Sequence, residues 1–304
     1  MRIAIVGAGM AGLACAQALR GHAVTLFDKG RRPGGRLATR RVEGLMFDHG
    51  AQYATARGSA FQAFIEQAGD LVAPWDPAVK HPRWVGVPGM SAFARAAEHG
   101  GIGSLHLQCQ IRAITRDAEA WHLHHDGGSA GPFDRIVLAL PAPQAAPLLA
   151  AIGHPFAARV GAVAMQPCWC LMLAFSERQS GPDTRTLEGG ALAWIARDSS
   201  RPGRDPLPDC WIAHAGPDWS QAHLEDPPDQ VEAALRTAFA EATEIRAVPH
   251  YAAVHRWRYA RTQSPLGEAC LWDPSGMAVC GDWCLAGKVE AAFDSGLAAA
   301  AACA

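Results

Sequence analysis

The sequence predicts an α/β fold: a Rossmann-type dinucleotide-binding domain joined to a second, mainly antiparallel-sheet domain. Three observations carry that prediction. An apolar run at Ile3, Ala4, Ile5 and Val6 leads into Gly7-Ala8-Gly9-Met10-Ala11-Gly12 and then a helical pattern to about Leu19. After residue 141 the texture changes to longer mixed strands rich in tryptophan. Near the end a further apolar run, Met277-Ala278-Val279-Cys280, closes on Gly281-Asp282-Trp283.

Length and composition bound what such a chain can do. With 304 residues, 49% hydrophobic and 18% charged, the chain can bury a core of one large or two smaller units, and nothing suggests disorder. A net charge of −2 gives no electrostatic footprint for nucleic acid or an anionic membrane. No apolar run reaches the roughly 18 residues of a membrane span, so a cytoplasmic protein is expected. The nine cysteines are odd in number, and neither Cys168/Cys170 nor Cys280/Cys284 has CxxC spacing. They read as buried free thiols, with no metal site.

In chain order, the first glycine of the fingerprint makes the tight turn. The second admits the backbone to a pyrophosphate, and the third lets helix and strand pack closely. A second apolar run at residues 24 to 27 ends in Asp28, 21 residues beyond Gly7, where an acid meets a ribose hydroxyl. A chance glycine loop would lack this context of strand, helix and acid. The loop Lys29-Gly30-Arg31-Arg32-Pro33-Gly34-Gly35-Arg36 follows. Gly34 and Gly35 allow backbone amides near a diphosphate, and Arg36 supplies a forked cation. Such an acid-then-GGR segment suits FAD rather than a simple nicotinamide cofactor. Arg31 and Arg32 holding a 2′-phosphate is the competing idea, and Asp28 argues against it by repulsion.

The stretch Phe47-Asp48-His49-Gly50-Ala51-Gln52-Tyr53 reads as a short strand entering a glycine turn with polar side chains at its end. With GAGMAG, DKGRRPGGR, DHGAQY and the later Trp257-Arg258 pair, the chain resembles renalase and its bacterial relatives within the amine-oxidase-like flavoprotein superfamily. The resemblance implies a Rossmann-type FAD-binding domain under a substrate domain, an amine-oxidase/hydroxybenzoate-hydroxylase-like arrangement. It implies FAD contacts at Gly7, Ala8, Gly9, Met10, Ala11, Gly12, Asp28, Lys29, Gly35, Arg36, Leu37, Ile111, Gly281, Asp282, Val289 and Glu290. Gln52 and Tyr53 would lie beside the isoalloxazine, although a purely structural turn fits the same residues. The FAD-binding domain would be assembled from residues 1–55, 92–141 and 270–304, and the substrate domain from 56–91 and 142–269.

The remaining elements follow from spacing. Phe61, Phe64, Ile65 and Ala68 recur at helical intervals. Pro74, Pro77, Pro82 and Pro88 break the chain into loops, Trp84 faces cavity or core, and Ser91 is placed to cap a helix running to about His99. Partial alternation at 105–114 and 121–125 before Gly127-Gly128 predicts a hairpin or meander. His122 and His124 share a strand face there, with no third or fourth metal ligand near. Residues 136–140, stopped by Pro141, read as a buried parallel strand. Residues 142–269 read as an antiparallel sheet with one helix, at 229–243. On residues 254–259, alternation puts His255, Trp257 and Tyr259 on one face and Arg256 and Arg258 on the other. One face should line a cavity and the other join the lobes. The pattern fits either assignment, and the flat rings favour the His255 face as the cavity side. A helix from about Val289 would point its positive end at the flavin.

As to activity, the family oxidises off-pathway isomers of dihydro-NAD(P), passes the hydride to FAD and returns electrons to oxygen as hydrogen peroxide. The resemblance then implies Tyr53, Trp257 and His255 positioning the ring, Gln52 contacting carboxamide or flavin, and Arg258 meeting substrate phosphate. The partners are a dihydronicotinamide dinucleotide and oxygen. No cysteine matches a tethering pattern, so the FAD is expected to be noncovalent. An amine oxidase or desaturase shares fold and cofactor. Only three lysines (Lys29, Lys80, Lys288) and three tyrosines weaken the amine-oxidase version, which favours a lysine near the flavin and a tyrosine cage. A flavin-binding sensor without turnover is the alternative outside enzymology.

Overall fold

A computed structural model describes residues 1–75, 82–118 and 120–304. Pro77 and Lys80 lie outside them. The first lobe is built on a six-stranded sheet in the order Leu271–Asp273, Met277–Val279, Arg135–Leu138, Arg2–Val6, Ala23–Phe27, Ser104–His106. All neighbours are parallel except the edge pair Leu271–Asp273 and Met277–Val279. The period-2 alternation of strand side chains divides the core. Ile3 and Ile5 pack on one face with helices Met10–Ala18, Ser59–Ala68, Ala92–Glu98 and Val289–Cys303. Ala4 and Val6 pack on the other with a three-stranded antiparallel sheet (Ile111–Arg116, Trp121–His125, Gly128–Phe133).

Helices Ala142–Ala151 and Phe156–Gly161 join that second face, inserting Ala142, Ala145, Leu148, Leu149 and Val160. The sequence pattern predicted no helix at residues 142–161. The alanine-rich stretch hides its helical period, and Pro147 inside the first helix masks it further. The C-terminal helix crosses Met10–Ala18 at close range. A Cβ on Gly296 would meet the Ala11 carbonyl oxygen at 2.1 Å, so only glycine permits the approach.

The second lobe is a five-stranded antiparallel sheet in the order Thr184–Thr186, Leu192–Arg197, Asp209–Ala215, Met165–Phe175, Tyr251–Thr262. Its outer face buries Leu171, Leu173, Phe175 and Trp211 under Val231, Leu235 and Phe239 of helix Pro228–Thr243. A short helix, Pro217–Ala222, accompanies it, so this lobe carries two helices where one was expected. The inner face, with Cys170, Met172, Ala174 and Ile212, packs on Leu45 and Phe47 from the first lobe's side. Those two belong to a hairpin, Arg40–Val42 with Leu45–Phe47, whose turn residues Glu43 (φ 51°) and Gly44 (φ 80°) both take the left-handed conformation of a tight hairpin.

Ser91 occupies the N-cap position of Ala92–Glu98 but makes no side-chain cap bond. Its backbone N–H donates instead to Thr39 Oγ1 at 3.1 Å, which ties the helix start to the segment before the hairpin.

Candidate active site

The strand Arg2–Val6 delivers the chain to Gly7, whose φ of 107° and whose approach to Ala139 (2.4 Å from a built Cβ to the carbonyl oxygen) require glycine. Gly12 would drive a Cβ to 1.9 Å from the Gly7 oxygen, so it sets the helix against the turn. Gly9 differs. A Cβ there meets nothing within 4 Å, and as N-cap of Met10–Ala18 it offers no side chain to the first-turn N–H groups. An open cradle at a helix N-terminus is the donor set a pyrophosphate needs. Ala8, Met10 and Ala11 are buried beside it.

Asp28, half-buried at the end of the second strand, accepts from the Ala8 N–H at 2.7 Å through Oδ2 and from the Gly30 N–H at 2.6 Å through Oδ1. It thereby fixes the glycine turn, and a carboxylate keeps further lone pairs for a hydroxyl. The Gly34 N–H donates to the Ala8 oxygen at 2.8 Å, and a Cβ on Gly35 would sit 3.6 Å from the Gly9 Cα. The DKGRRPGGR loop therefore lies directly against the fingerprint.

Arg36 joins three distant segments. Its Nη1 and Nη2 grip Asp282 at 3.0 and 2.5 Å, and Nη1 also donates to the Ala260 oxygen at 3.1 Å. Its carbonyl accepts from the Ala51 N–H at 2.9 Å. Two residues expected to face cofactor separately are thus each other's partners, a bidentate pair with geometric rigidity. Glu290, in the first turn of Val289–Cys303, accepts from the N–H groups of Arg57 and Gly58 at 2.7 and 2.6 Å through Oε1. Leu37 and Ile111 are buried, Lys29 is exposed, and Val289 is half-buried. Gly281 donates its N–H to Ser295 Oγ at 3.0 Å.

The turn at residues 48–53 meets the second lobe on two sides. On one, Asp48, Asp198, Arg201 and Arg204 form a buried ionic cluster. Arg201 Nε reaches Asp198 at 2.5 Å, and Arg204 bridges Asp198 at 2.5 Å and Asp48 at 2.6 Å. Burial alone would raise the Asp198 carboxyl, but Arg204 and Arg201 outweigh it and hold the group below its usual range. Arg201 also donates to the Gln52 carbonyl at 2.5 Å and to Gln52 Oε1 at 2.9 Å, while Gln52 Nε2 donates to the Asp48 and Gly50 carbonyls. The Gln52 amide, expected to contact carboxamide or flavin, is committed to protein partners at both ends. Trp75 lies under the Arg201 guanidinium at 4.2 Å.

On the other side the contacts are between rings. His49 stacks on Trp257 with centroids 5.2 Å apart and meets His255 edge-on at 4.7 Å. Its carbonyl accepts from Trp257 Nε1 at 2.8 Å and from His214 Nε2 at 3.3 Å. Register explains the convergence, because cross-strand partners share a face. Trp194 pairs with His214, His214 with Cys170, and Cys170 with His255. Burial, reinforced by His255 and Arg40, pushes His49 down to about 4. Burial, with Arg201 and Arg261 nearby, does the same to His214, also to about 4. His255 is lowered by burial and Arg40. This wall is therefore neutral at physiological pH.

Arg256 and Arg258 project from the opposite face, where both pair with Glu225, at 3.0 and 2.5 Å. Arg258 is thus separated from the rings it was expected to join in holding substrate, because strand alternation sends it the other way. Tyr53 stays on the ring side, 6.1 Å from Trp194. His122 and His124, expected as a face-sharing pair, bond Asp117 and Thr115. Sequence reasoning did not single out His49, His214, Arg201 or Arg204. The spacing of Asp198, Arg201 and Arg204 at intervals of three was the available signal.

Comparisons with known proteins bear on the family and the fold. Residues 5–68 match the NAD(P)-binding Rossmann-like domain, and residues 79–304 match the flavin containing amine oxidoreductase family. The chain is 39% identical over 71 residues to a 4,4'-diapophytoene desaturase of Staphylococcus haemolyticus, a stretch covering 23% of this chain and 14% of that protein. It is 37% identical over 78 residues to the enzyme of the same name from Staphylococcus aureus strain Newman, covering 22% and 16%. The fold matches a protein from Exiguobacterium sp. 255-15 assigned as a protoporphyrinogen oxidase, with TM-score 0.81, 13% identity and coverage of 99% and 98%. It also matches wild-type putrescine oxidase bound to putrescine, with TM-score 0.69, 14% identity and coverage of 99% and 98%. Among the described residues no helix is long and apolar enough to cross a membrane.

Proposed function

The chain belongs to the flavin-containing amine oxidoreductase family, with FAD as cofactor, and from that premise we propose that it is an oxidase of off-pathway dihydro-NAD(P) isomers. The overall reaction consumes the isomer, a proton and oxygen and gives NAD(P)+ and hydrogen peroxide. Bound FAD supplies the two-electron acceptor for the hydride. The glycine cradle at Gly9, the Asp28 carboxylate and the Arg36–Asp282 pair fit a noncovalent dinucleotide of this kind.

One observation carries the substrate reading: the neutral ring wall of His49, His255, Trp257 and His214. Loss of hydride from a dihydronicotinamide is driven by formation of an aromatic ring, so it needs orientation against flat surfaces rather than a strong base. Trp257, His255 and Tyr53 are the residues to orient the ring, and His49 backs them from the turn. Gln52 acts through Arg201 as a positioning residue that fixes the turn. Both described lysines, Lys29 and Lys288, are exposed.

A second reading, an FAD-dependent amine oxidase or desaturase, is favoured by the likeness to the diapophytoene desaturases. Anaerobic mixing of the FAD-loaded protein with dihydro-NAD isomers, and separately with putrescine, decides between them. Rapid bleaching of the flavin absorbance by the isomers alone is expected. Bleaching by putrescine alone would put the amine reading in its place, and no bleaching by any donor would favour a flavin-binding sensor.

A further inference from the structure

The ring wall continues beyond His214 to Trp194 on the next strand, where a cation enters it. The Arg83 guanidinium sits over two rings at once, 5.1 Å from the Tyr53 centroid and 5.2 Å from that of Trp194. Hydrogen bonds of 2.8 Å in both directions between Ala54 and Trp84 hold the two backbones side by side. Nη1 of Arg83 donates to Thr184 Oγ1 at 3.3 Å, and among the described residues no carboxylate pairs with the group. Trp194 Nε1 is buried with no hydrogen-bond partner among the described residues.

Stacking on aromatic faces fixes the plane of a guanidinium without neutralising it, and one bond to a hydroxyl leaves most of its five donors unused. Three strand-to-strand steps separate His255 from Trp194, about 14 Å. A ligand with a flat ring at one end and an anionic group at the other matches a wall with neutral rings at one end and a fixed cation at the other. We propose that Arg83, held between Tyr53 and Trp194, is the anion subsite of this wall and takes a phosphate or pyrophosphate group of the substrate. The inference rests on the dihydronicotinamide reading above and adds the residue that selects for its charged portion.

The test uses the FAD-loaded protein and its Arg83→Gln and Arg83→Lys variants. Binding of NAD+ and of nicotinamide riboside, which lacks the phosphates, is read from perturbation of the flavin absorbance. Binding of inorganic pyrophosphate is read by calorimetry. Arg83→Gln is expected to weaken NAD+ and pyrophosphate by about tenfold or more while leaving the riboside unchanged, with Arg83→Lys recovering part of the loss. Equal pyrophosphate affinity in wild type and Arg83→Gln, or no pyrophosphate binding by wild type, would overturn the proposal. Pyrophosphate binding through Arg83 without flavin reduction by any dihydronicotinamide would leave the subsite standing and remove the substrate reading instead.

Discussion

On one side of residues 48–53, charges meet charges out of water: Asp48 and Asp198 against Arg201 and Arg204, with Gln52 bonded in at both ends of its amide. On the other side, His49 meets His255 and Trp257 through ring faces and a shared carbonyl. The two sides divide the work. Directional, fully paired bonds fix where the turn sits, and the opposite side can then present weakly bonded rings to a ligand without losing its position. A buried ionic cluster is a costly way to hold a loop, since desolvation offsets much of the attraction, but it tolerates little displacement.

Breaking the charged side gives the largest effect. Asp198→Asn removes the common partner of Arg201 and Arg204 and leaves buried charge uncompensated, so urea denaturation should show a loss of about 3–5 kcal/mol.

Acid should act next, and on the ring side. Unfolded His49 takes a proton near pH 6.5, whereas the folded residue resists until about 4. Its contribution is therefore intact above pH 6.5 and falls as pH drops through that window, by about 3 kcal/mol at the foot. Melting temperature against pH should decline there, and His49→Asn should make the decline shallower while leaving the part that His214 contributes.

A smaller effect separates cofactor binding from folding. Gly9→Ala places its methyl in open space, so stability of the apoprotein should be unchanged while FAD affinity falls about tenfold, measured by fluorescence titration. Gly12→Ala, which meets the Gly7 carbonyl, should instead lower stability itself.

The smallest effect is expected from Trp257→Phe, which deletes the bond to the His49 carbonyl. It should cost about 1 kcal/mol of stability while slowing flavin reduction.

The cofactor half of the molecule was the more legible in the sequence because its constraints are local. Gly7, Gly9 and Gly12 stand at fixed spacing in one turn, where Gly7 takes a left-handed φ, Gly9 leaves the helix N-terminus open and Gly12 packs on the Gly7 carbonyl, and Asp28 closes the same loop. The ring wall depends on register between residues up to 85 positions apart in sequence, as in Trp194 to His214 and Cys170 to His255, and no spacing encodes it. Alternation separated His255 from Arg258 but left open which side met His49. The commitment of Gln52 to Arg201 was invisible for the same reason, since its partner sits 149 residues away.

The central claim is that the ring wall orients a donor needing no base. The direct measurement is the rate constant for anaerobic flavin reduction by a dihydro-NAD isomer, from about pH 5.5 to about pH 8.5. With His49 and His214 titrating only at about 4, the account predicts a flat profile across that range. A sigmoidal or bell-shaped profile within it would reveal an essential acid or base and contradict the account.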